Sequence, residues 1–331
     1  MTNAVSELQP RVSIIIPFYH KRLHYLHELL IGCEKLHYEN YEVIIVSNVP
    51  VAIHSPKARV ITTDKRSQGE KYDIGVGEAT GEICALVGDD VYPHPDWLKN
   101  AIKHFDDLDI IAVGGPGLTP PQNSVMQQAG GLVYSSSLGG GFASFRYVGK
   151  KRRICDDLPA TNLLVRRNAL LQVGNISIPF RSGEDTILCL KLSKLNKKML
   201  YVPDVVVFHH RRPLFRPHTR QIFNAAVHRG YFARRFGGNS RRITYFLPSF
   251  GLILFSVLLL LTVFLPKISP IALVLLAIYA VGVFASAFAV GKSLELTIIV
   301  WLGIILTHLA YGLGFLRGLL IRDGKKLLHK D

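Results

Sequence analysis

The chain has 331 residues, 39 Lys+Arg against 24 Asp+Glu for a formal charge of +15, and a mean hydropathy of +0.25. That length allows about two domains, and so apolar a composition excludes a disordered chain. Four widely spaced cysteines (Cys33, Cys84, Cys155, Cys189) with no C-x-x-C pair exclude a disulfide scaffold and offer no zinc or redox motif; they read as buried free thiols in a reducing compartment.

Residues Met1 to Arg11 contain no apolar run, so no signal peptide is expected and the first two hundred residues are expected in the cytosol. Val12–Ile16 is a continuous β-branched run ending at Pro17, the pattern of a buried parallel strand. Leu23, Leu26, Leu29, Leu30 and Cys33 then recur at helical spacing. Tyr41–Val46, Arg59–Thr62 and Ile83–Val87 read as the next strands. This rhythm predicts an α/β fold with a mostly parallel sheet and helices on both faces. Ligands of such sheets bind beyond the carboxyl ends of the strands. Pro17-Phe18-Tyr19, Ser47-Asn48 and Gly88-Asp89-Asp90 all fall there. No G-x-G-x-x-G follows the first strand and no G-x-x-x-x-G-K-[ST] occurs, which removes a simple dinucleotide or P-loop reading. Gly75-Val76-Gly77 and Gly139-Gly140-Gly141 read as loop glycines.

Two adjacent carboxylates at a strand tip, Asp89 and Asp90, repel each other unless a cation or a ribose hydroxyl compensates. With a diphosphate they make a hard-cation site for Mg²⁺ or Mn²⁺; the plainer alternative is an exposed acidic turn. Gly183-Glu184-Asp185 opens a helix expected to bury Ile187, Leu188, Leu192 and Leu195. A carboxylate there is held ionised by the helix dipole, which suits a general base and equally an N-cap. Lys150-Lys151-Arg152-Arg153 reads as a solvated loop, and Arg166-Arg167 as the start of a helix.

His209–Arg242 carries nine arginines and no acidic residue, interleaved with Phe215, Ile222, Phe223, Tyr231, Phe232 and Phe236. Three apolar runs follow, Tyr245–Leu265, Ile268–Val290 and Leu294–Leu316, each near the ~20 residues that cross a bilayer. Beside them the arginine segment fits a helix in the lipid interface, apolar side down, better than a nucleic-acid site. Arg211, Arg212, Arg216, Arg220, Arg229, Arg234 and Arg235 would then meet lipid phosphates. Three spans leave the tail (Arg317, Arg322, Lys325, Lys326, Lys330) outside, although basic flanks prefer the cytoplasmic side. A re-entrant hairpin around Pro266–Pro270 is the alternative. Few polar residues interrupt the runs (Lys292, Glu295 and His308 are the main ones), which argues against a transporter.

The stretch from Val12 to about Arg212 resembles a family 2 inverting glycosyltransferase with the nucleotide-sugar-binding, Rossmann-like GT-A fold. The motifs stand in the family's order: Val-Ser-Ile-Ile-Ile-Pro at 12–17, Gly-Val-Gly-Glu-Ala-Thr-Gly-Glu-Ile at 75–83, Gly-Asp-Asp at 88–90 and Pro-Asp-Trp-Leu at 95–98. Thr161–Arg167, Gly183-Glu184-Asp185, Tyr201-Val202-Pro203-Asp204 and His209-His210-Arg211 complete the series. The resemblance implies that Pro17 and Tyr19 lie against the nucleotide and that Asp90 binds a divalent cation. It implies that Asp89 contacts ribose or the metal, and that Asp185, with Glu184 beside it, deprotonates the acceptor hydroxyl. His209 or His210 would be a further metal or phosphate ligand, or a structural histidine. Ser47, Asn48 and Asp73 fall at positions that the resemblance implies bind the nucleotide-sugar, but the sequence departs from the pattern there, with Ser47-Asn48 where an aspartate usually reads the base and Asp73 in place of asparagine, and also at Gly88 in place of the first aspartate of a triplet. Gln-x-x-Arg-Trp of processive synthases is absent, which implies one sugar added per encounter.

These readings give a cytosolic GT-A domain over residues 1–210, a basic interfacial segment over 211–244, about three transmembrane helices over 245–321 and a basic tail over 322–331. The expected activity is metal-assisted transfer from a nucleotide-sugar to a lipid-linked or polysaccharide acceptor at the cell membrane, with no nucleic-acid partner. Transfer to polyprenyl phosphate is the nearest alternative, and a non-catalytic membrane scaffold is the alternative of another class.

Overall fold

The computed structural model describes residues 9–19, 22–65, 67–174, 176–178, 180 and 182–327. Residues 1–8 of the N-terminal segment and Lys330 of the tail lie outside them. The chain divides into two compact units, one of Met1–Gly117, Gly149–Pro179 and Glu184–His209, the other of Leu118–Val148, Phe180–Gly183 and His210–Asp331.

The strands are β1 (Val12–Phe18), β2 (Tyr41–Ser47), β3 (Ala58–Thr62), β4 (Ile83–Leu86), β5 (Val91–Pro93), β6 (Ile110–Gly114), β7 (Gly117–Leu118), β8 (Arg153–Cys155), β9 (Leu163–Arg166), β10 (Lys198–Tyr201) and β11 (Val207–His209). The helices are α1 (Leu23–Glu34), α2 (Gln68–Glu78), α3 (Trp97–Ile102), α4 (Val125–Ser135), α5 (Arg167–Val173), α6 (Glu184–Leu192), α7 (Arg216–Arg235), α8 (Ile243–Phe264), α9 (Ser269–Phe288) and α10 (Leu294–Leu320).

The first unit is built on an eight-stranded sheet in the order β3-β2-β1-β4-β9-β6-β10-β8. β1 runs parallel to β2 and β4, and β2 to β3. β9 is antiparallel to β4 and β6, and β8 to β10. The sheet is therefore mixed, with β8 and β9 opposing the other six strands. Pairing direction at β9 depends on partners distant in sequence, which a local pattern does not reveal. β1 and β2 are buried along their whole lengths, and covering on both faces is what a continuous apolar run without alternation requires.

Gly75-Val76-Gly77, read as loop, lies inside α2. Ser67 and Glu70 form a reciprocal capping box that starts this helix despite its glycines. A Cβ on Gly75 would stand 2.2 Å from Ile15 Cγ2, so the glycine lets α2 lie directly on β1. α6 ends at Leu192, before the expected Leu195, and buries Thr186, Leu188, Cys189 and Leu192, whereas Ile187 and Leu195 are half-buried. Arg166 ends β9 rather than starting a helix; its guanidinium donates to the carbonyls of Phe105, Asp107 and Ile110. The four cysteines are free, and all but the half-buried Cys155 are buried.

In the second unit three helical stretches, Gly238–Phe264, Pro266–Phe288 and Leu294–Leu320, are long and apolar enough to cross a membrane. α7 and α10 pack backbone against backbone. A Cβ on Gly230 would lie 2.2 Å from the Phe315 carbonyl oxygen, and one on Gly318 2.1 Å from that of Val227. Small residues at a helix crossing permit this approach. His218, Ile222, Ala226 and Tyr231 of α7 are buried. The apolar face that the sequence reading turned toward lipid therefore has α10 against it. α4 adds Ala129 and Val133 to a cluster with Val300 and Ile304 of α10.

Candidate active site

The site in the first unit grows from two neighbouring parallel strands. β1 delivers buried Pro17 and Phe18 and then Tyr19. β4 is followed by Gly88, Asp89 and Asp90, and the two carboxylate residues are only 3% and 9% exposed, which removes the exposed-turn alternative. A Cβ at Gly88 would stand 3.1 Å from Asp90 Oδ1, so the glycine leaves that carboxylate its place.

Buried carboxylates need partners. The Tyr19 backbone N–H donates to Asp89 Oδ2 at 3.2 Å. Arg22 Nη1 lies 2.7 Å from Asp89 Oδ1 and 2.7 Å from Asp90 Oδ2. β11 pairs antiparallel with β5 so that His209 stands opposite Val91, and its Nε2 comes 3.4 Å from Asp90 Oδ1. Lys71, fully buried on α2, donates from Nζ to the Phe18 carbonyl at 2.7 Å and sits 3.9 Å from the Tyr19 ring centre.

The electrostatics follow from burial among these charges. Burial raises the Asp89 carboxyl above its usual range, with Arg22 pulling against it and Asp90 adding to it. For Arg22 burial works downward, but Asp90 and Asp89 outweigh it and hold the guanidinium above its ordinary value. Burial pushes the Tyr19 hydroxyl to about 12, helped by Glu184 and Asp89. Burial lowers the Lys71 amine to about 8 against the opposing pull of Asp89.

Glu184 and Asp185 occupy the first turn of α6. Glu184 is within electrostatic reach of Tyr19, and both reach Tyr72, whose hydroxyl donates to the Val87 and Ala160 carbonyls. Asp185 Oδ1 accepts from the Thr186 N–H at 2.7 Å.

The other predicted residues make contacts of their own. Ser47 Oγ accepts from the Val49 N–H, and Asn48 Nδ2 donates to the Thr63 and Lys65 carbonyls, so both side chains tie the turn after β2. Asp73 accepts the N–H groups of Ile176 and Ser177 and anchors the segment after α5. His210 belongs to the second unit, where its Nδ1 lies 2.7 Å from Asn123 Oδ1. Arg211 is buried there, 4.8 Å from the Tyr147 ring centre and 5.7 Å from that of Tyr134. Arg229 stacks over Tyr245, and Arg234 donates to the Leu319 and Ile321 carbonyls, satisfying the end of α10. Arg212, Arg216, Arg220 and Arg235 are exposed. Arg22 and Lys71 were missed; the available signal was a basic residue in the loop after the first strand, opposite an acidic pair on the neighbouring strand.

No group of three His, Cys, Asp or Glu side chains forms a ready metal cage among the described residues. Mg²⁺-type sites commonly use one or two carboxylates and take further oxygens from substrate phosphates. Adjacent ligands of an octahedral ion at 2.0–2.1 Å stand about 3 Å apart, close to the 3.4 Å between Asp90 Oδ1 and His209 Nε2. The residues fit a cation completed by a diphosphate.

Residues 13–174 match the family model described as Glycosyl transferase family 2. The chain carries a glycosyltransferase family 2 domain over these residues. A relative from Methanococcus voltae, named dolichyl N-acetyl-alpha-D-glucosaminyl phosphate 3-beta-D-2,3-diacetamido-2,3-dideoxy-beta-D-glucuronosyltransferase, is 22% identical over 246 residues, 68% of this chain and 74% of the relative. The pre-mycofactocin glycosyltransferase of Mycobacterium tuberculosis is 26% identical over 146 residues, 44% of this chain but only 30% of the relative. Among solved structures, the mannosyltransferase PcManGT from Pyrobaculum calidifontis, in complex with GDP-Man and Mn²⁺, aligns with a TM-score of 0.58 at 17% identity, covering 96% of this chain and 89% of its own. That likeness places the glycosyltransferase in the GT-A fold.

Proposed function

We propose that this glycosyltransferase moves one sugar per encounter, with inversion, from a nucleotide-sugar to a hydroxyl of a lipid-linked or polysaccharide acceptor, assisted by Mg²⁺ or Mn²⁺. The single observation that carries the reading is the convergence of Tyr19, Asp89, Asp90 and His209 at the ends of β1, β4 and β11. The bound cation would neutralise the departing diphosphate. Asp90 and His209 would hold it, Asp89 would hold it or the ribose, and Pro17 and Tyr19 would bound the nucleotide. Asp185 would take the acceptor proton while the hydroxyl oxygen bonds to the anomeric carbon and the bond from that carbon to the diphosphate oxygen breaks. The positive end of α6 favours the ionised carboxylate that this step needs. Ser47, Asn48 and Asp73 contribute through the backbone they fix.

Two similar proteins support the donor and acceptor classes: a mannosyltransferase in complex with GDP-Man and Mn²⁺, and a transferase named for a dolichyl-phosphate sugar. The apolar helices of the second unit support a membrane setting; in this reading the catalytic unit faces the cytoplasm, and the exposed Arg212, Arg216, Arg220 and Arg235 contact lipid phosphates. The test is product analysis. Detergent-purified protein is given a panel of nucleotide-sugars with lipid-linked acceptors, and the new linkage is assigned by NMR. An inverted, acid-stable glycosidic bond is expected. Retention of configuration contradicts the mechanism, and an acid-labile polyprenyl-phosphate sugar contradicts the acceptor.

A further inference from the structure

We propose that Arg22 is a resident counter-cation, which yields Asp89 and Asp90 to the divalent cation only when a nucleoside diphosphate arrives with it. This rests on the metal-assisted reading above and adds an order of loading to it. One nitrogen, Nη1, lies 2.7 Å from an oxygen of each carboxylate, so a single guanidinium occupies the ground between them that a bridging cation would use. The carboxylates are almost wholly buried, with side chains 4% and 13% exposed, whereas the arginine side chain is 25% exposed and has room to leave. Asp89 also accepts the Tyr19 N–H, which keeps its carboxylate in place when the arginine moves.

Counting charge gives the order. Two carboxylates and one guanidinium leave one net negative charge, and the Lys71 amine, within electrostatic reach of Asp89, sets a further positive charge against it. A divalent ion entering alone would put two cations against the same oxygens, and like charges at such range repel strongly in a buried site. A diphosphate alone would face the carboxylates. When both enter together Asp89 and Asp90 would hold the metal, and the displaced Arg22 guanidinium would gain phosphate oxygens that suit its planar fork of donors. Arg22 thus acts as a positioning residue that suppresses metal binding to the empty enzyme.

The test is binding of Mn²⁺ to the full-length, detergent-solubilised protein, read from the electron paramagnetic resonance of free Mn²⁺, alone and with UDP or GDP. Wild type should bind Mn²⁺ weakly alone and at least tenfold more tightly with one of the nucleotides. Arg22→Gln should bind Mn²⁺ alone at least tenfold more tightly than wild type, with a smaller gain from the nucleotide. Arg22→Met, which keeps the stem without the charge, should do the same and serves if the glutamine variant does not fold. Asp90→Asn should lose binding under every condition. Nucleotide-dependent Mn²⁺ binding in wild type with no gain in either Arg22 variant alone would overturn the proposal and leave the metal-assisted reading standing. No Mn²⁺ binding to wild type or variants with either nucleotide would overturn both.

Discussion

The two units keep charge and apolar surface in opposite places. The sheet unit buries ionisable groups and gives each a hydrogen-bond partner: Asp89 and Asp90 share Arg22, Lys71 donates to the Phe18 carbonyl, and Glu42 accepts from Ser13 and Thr80. The helical unit leaves its apolar surface bare. In their most apolar segments, 6% of the residues are buried in the stretch that ends with α8, 17% in that of α9 and 33% in that of α10. Of the three helices α10 is therefore the one held by protein, through α7 and α4, while α8 and α9 present most of their surface outward. Specific chemistry needs enclosed charges, and a membrane setting needs exposed hydrocarbon. One unit holds the enclosed charges, and the other carries helices apolar enough to cross a membrane.

The largest effect should come from the sheet unit alone. Asp185→Asn should lower turnover by about 10²–10⁴, the usual worth of a general base, and leave donor affinity unchanged. Steady-state rates beside calorimetric donor binding would check this. A loss confined to donor affinity would move the carboxylate from proton transfer to binding.

Within the helical unit, matched glycine substitutions sharpen the contrast between α10 and its neighbours. Gly318→Leu drives a side chain into the Val227 carbonyl and should cost about 1–3 kcal/mol, seen as a lower unfolding temperature in detergent. Gly282→Leu in α9 has nothing within 4 Å and should be silent. Equal effects would dissolve the distinction between covered and bare helices.

A smaller loss is expected where a polar side chain of α9 holds the loop after α4. Ser286 Oγ lies 2.9 Å from Ser137 Oγ and accepts the Leu138 N–H at 3.0 Å. Ser286→Ala should cost about 1 kcal/mol, with faster amide exchange at Leu138 as the measure.

The last effect is one of slope. The Lys71 amine titrates at about 8 when folded, below its ordinary 10.5. The unfolded chain therefore binds more protons between those values, and stability from this group rises with pH across that window. Lys71→Met should flatten that part of the unfolding-temperature profile; an unchanged profile would mean that the amine is not held at low pKa.

How much of this was legible in the chain depended on whether the signal was local. β1 and β2 were readable because burial on both faces selects an unbroken apolar run, and the three long apolar helices because length and composition suffice to find them. α2 was not, because Gly75 and Gly77 look like punctuation until the Ser67–Glu70 capping box and the contact with Ile15 are seen. In the site, Asp89, Asp90 and His209 carried recognisable chemistry at the right strand ends. Which of two adjacent histidines faces Asp90 was decided by the β5–β11 register, which neither histidine announces. Ser47, Asn48 and Asp73 occupy motif positions, but a motif does not say that their side chains are engaged by backbone. Arg22 and Lys71 were hidden for the opposite reason: a basic residue in a loop or helix is ordinary until folding puts it on a buried carboxylate or a strand-end carbonyl.

The most direct test of the central claim is nucleoside diphosphate release from UDP-, GDP- and dTDP-sugars by the purified full-length protein with its apolar C-terminal helices intact. It is run with and without Mn²⁺ or Mg²⁺, beside Asp90→Asn. Metal-dependent release from one donor, lost in the variant while the fold is kept, is the predicted result. Release that is indifferent to metal and survives Asp90→Asn would contradict a site built on those carboxylates.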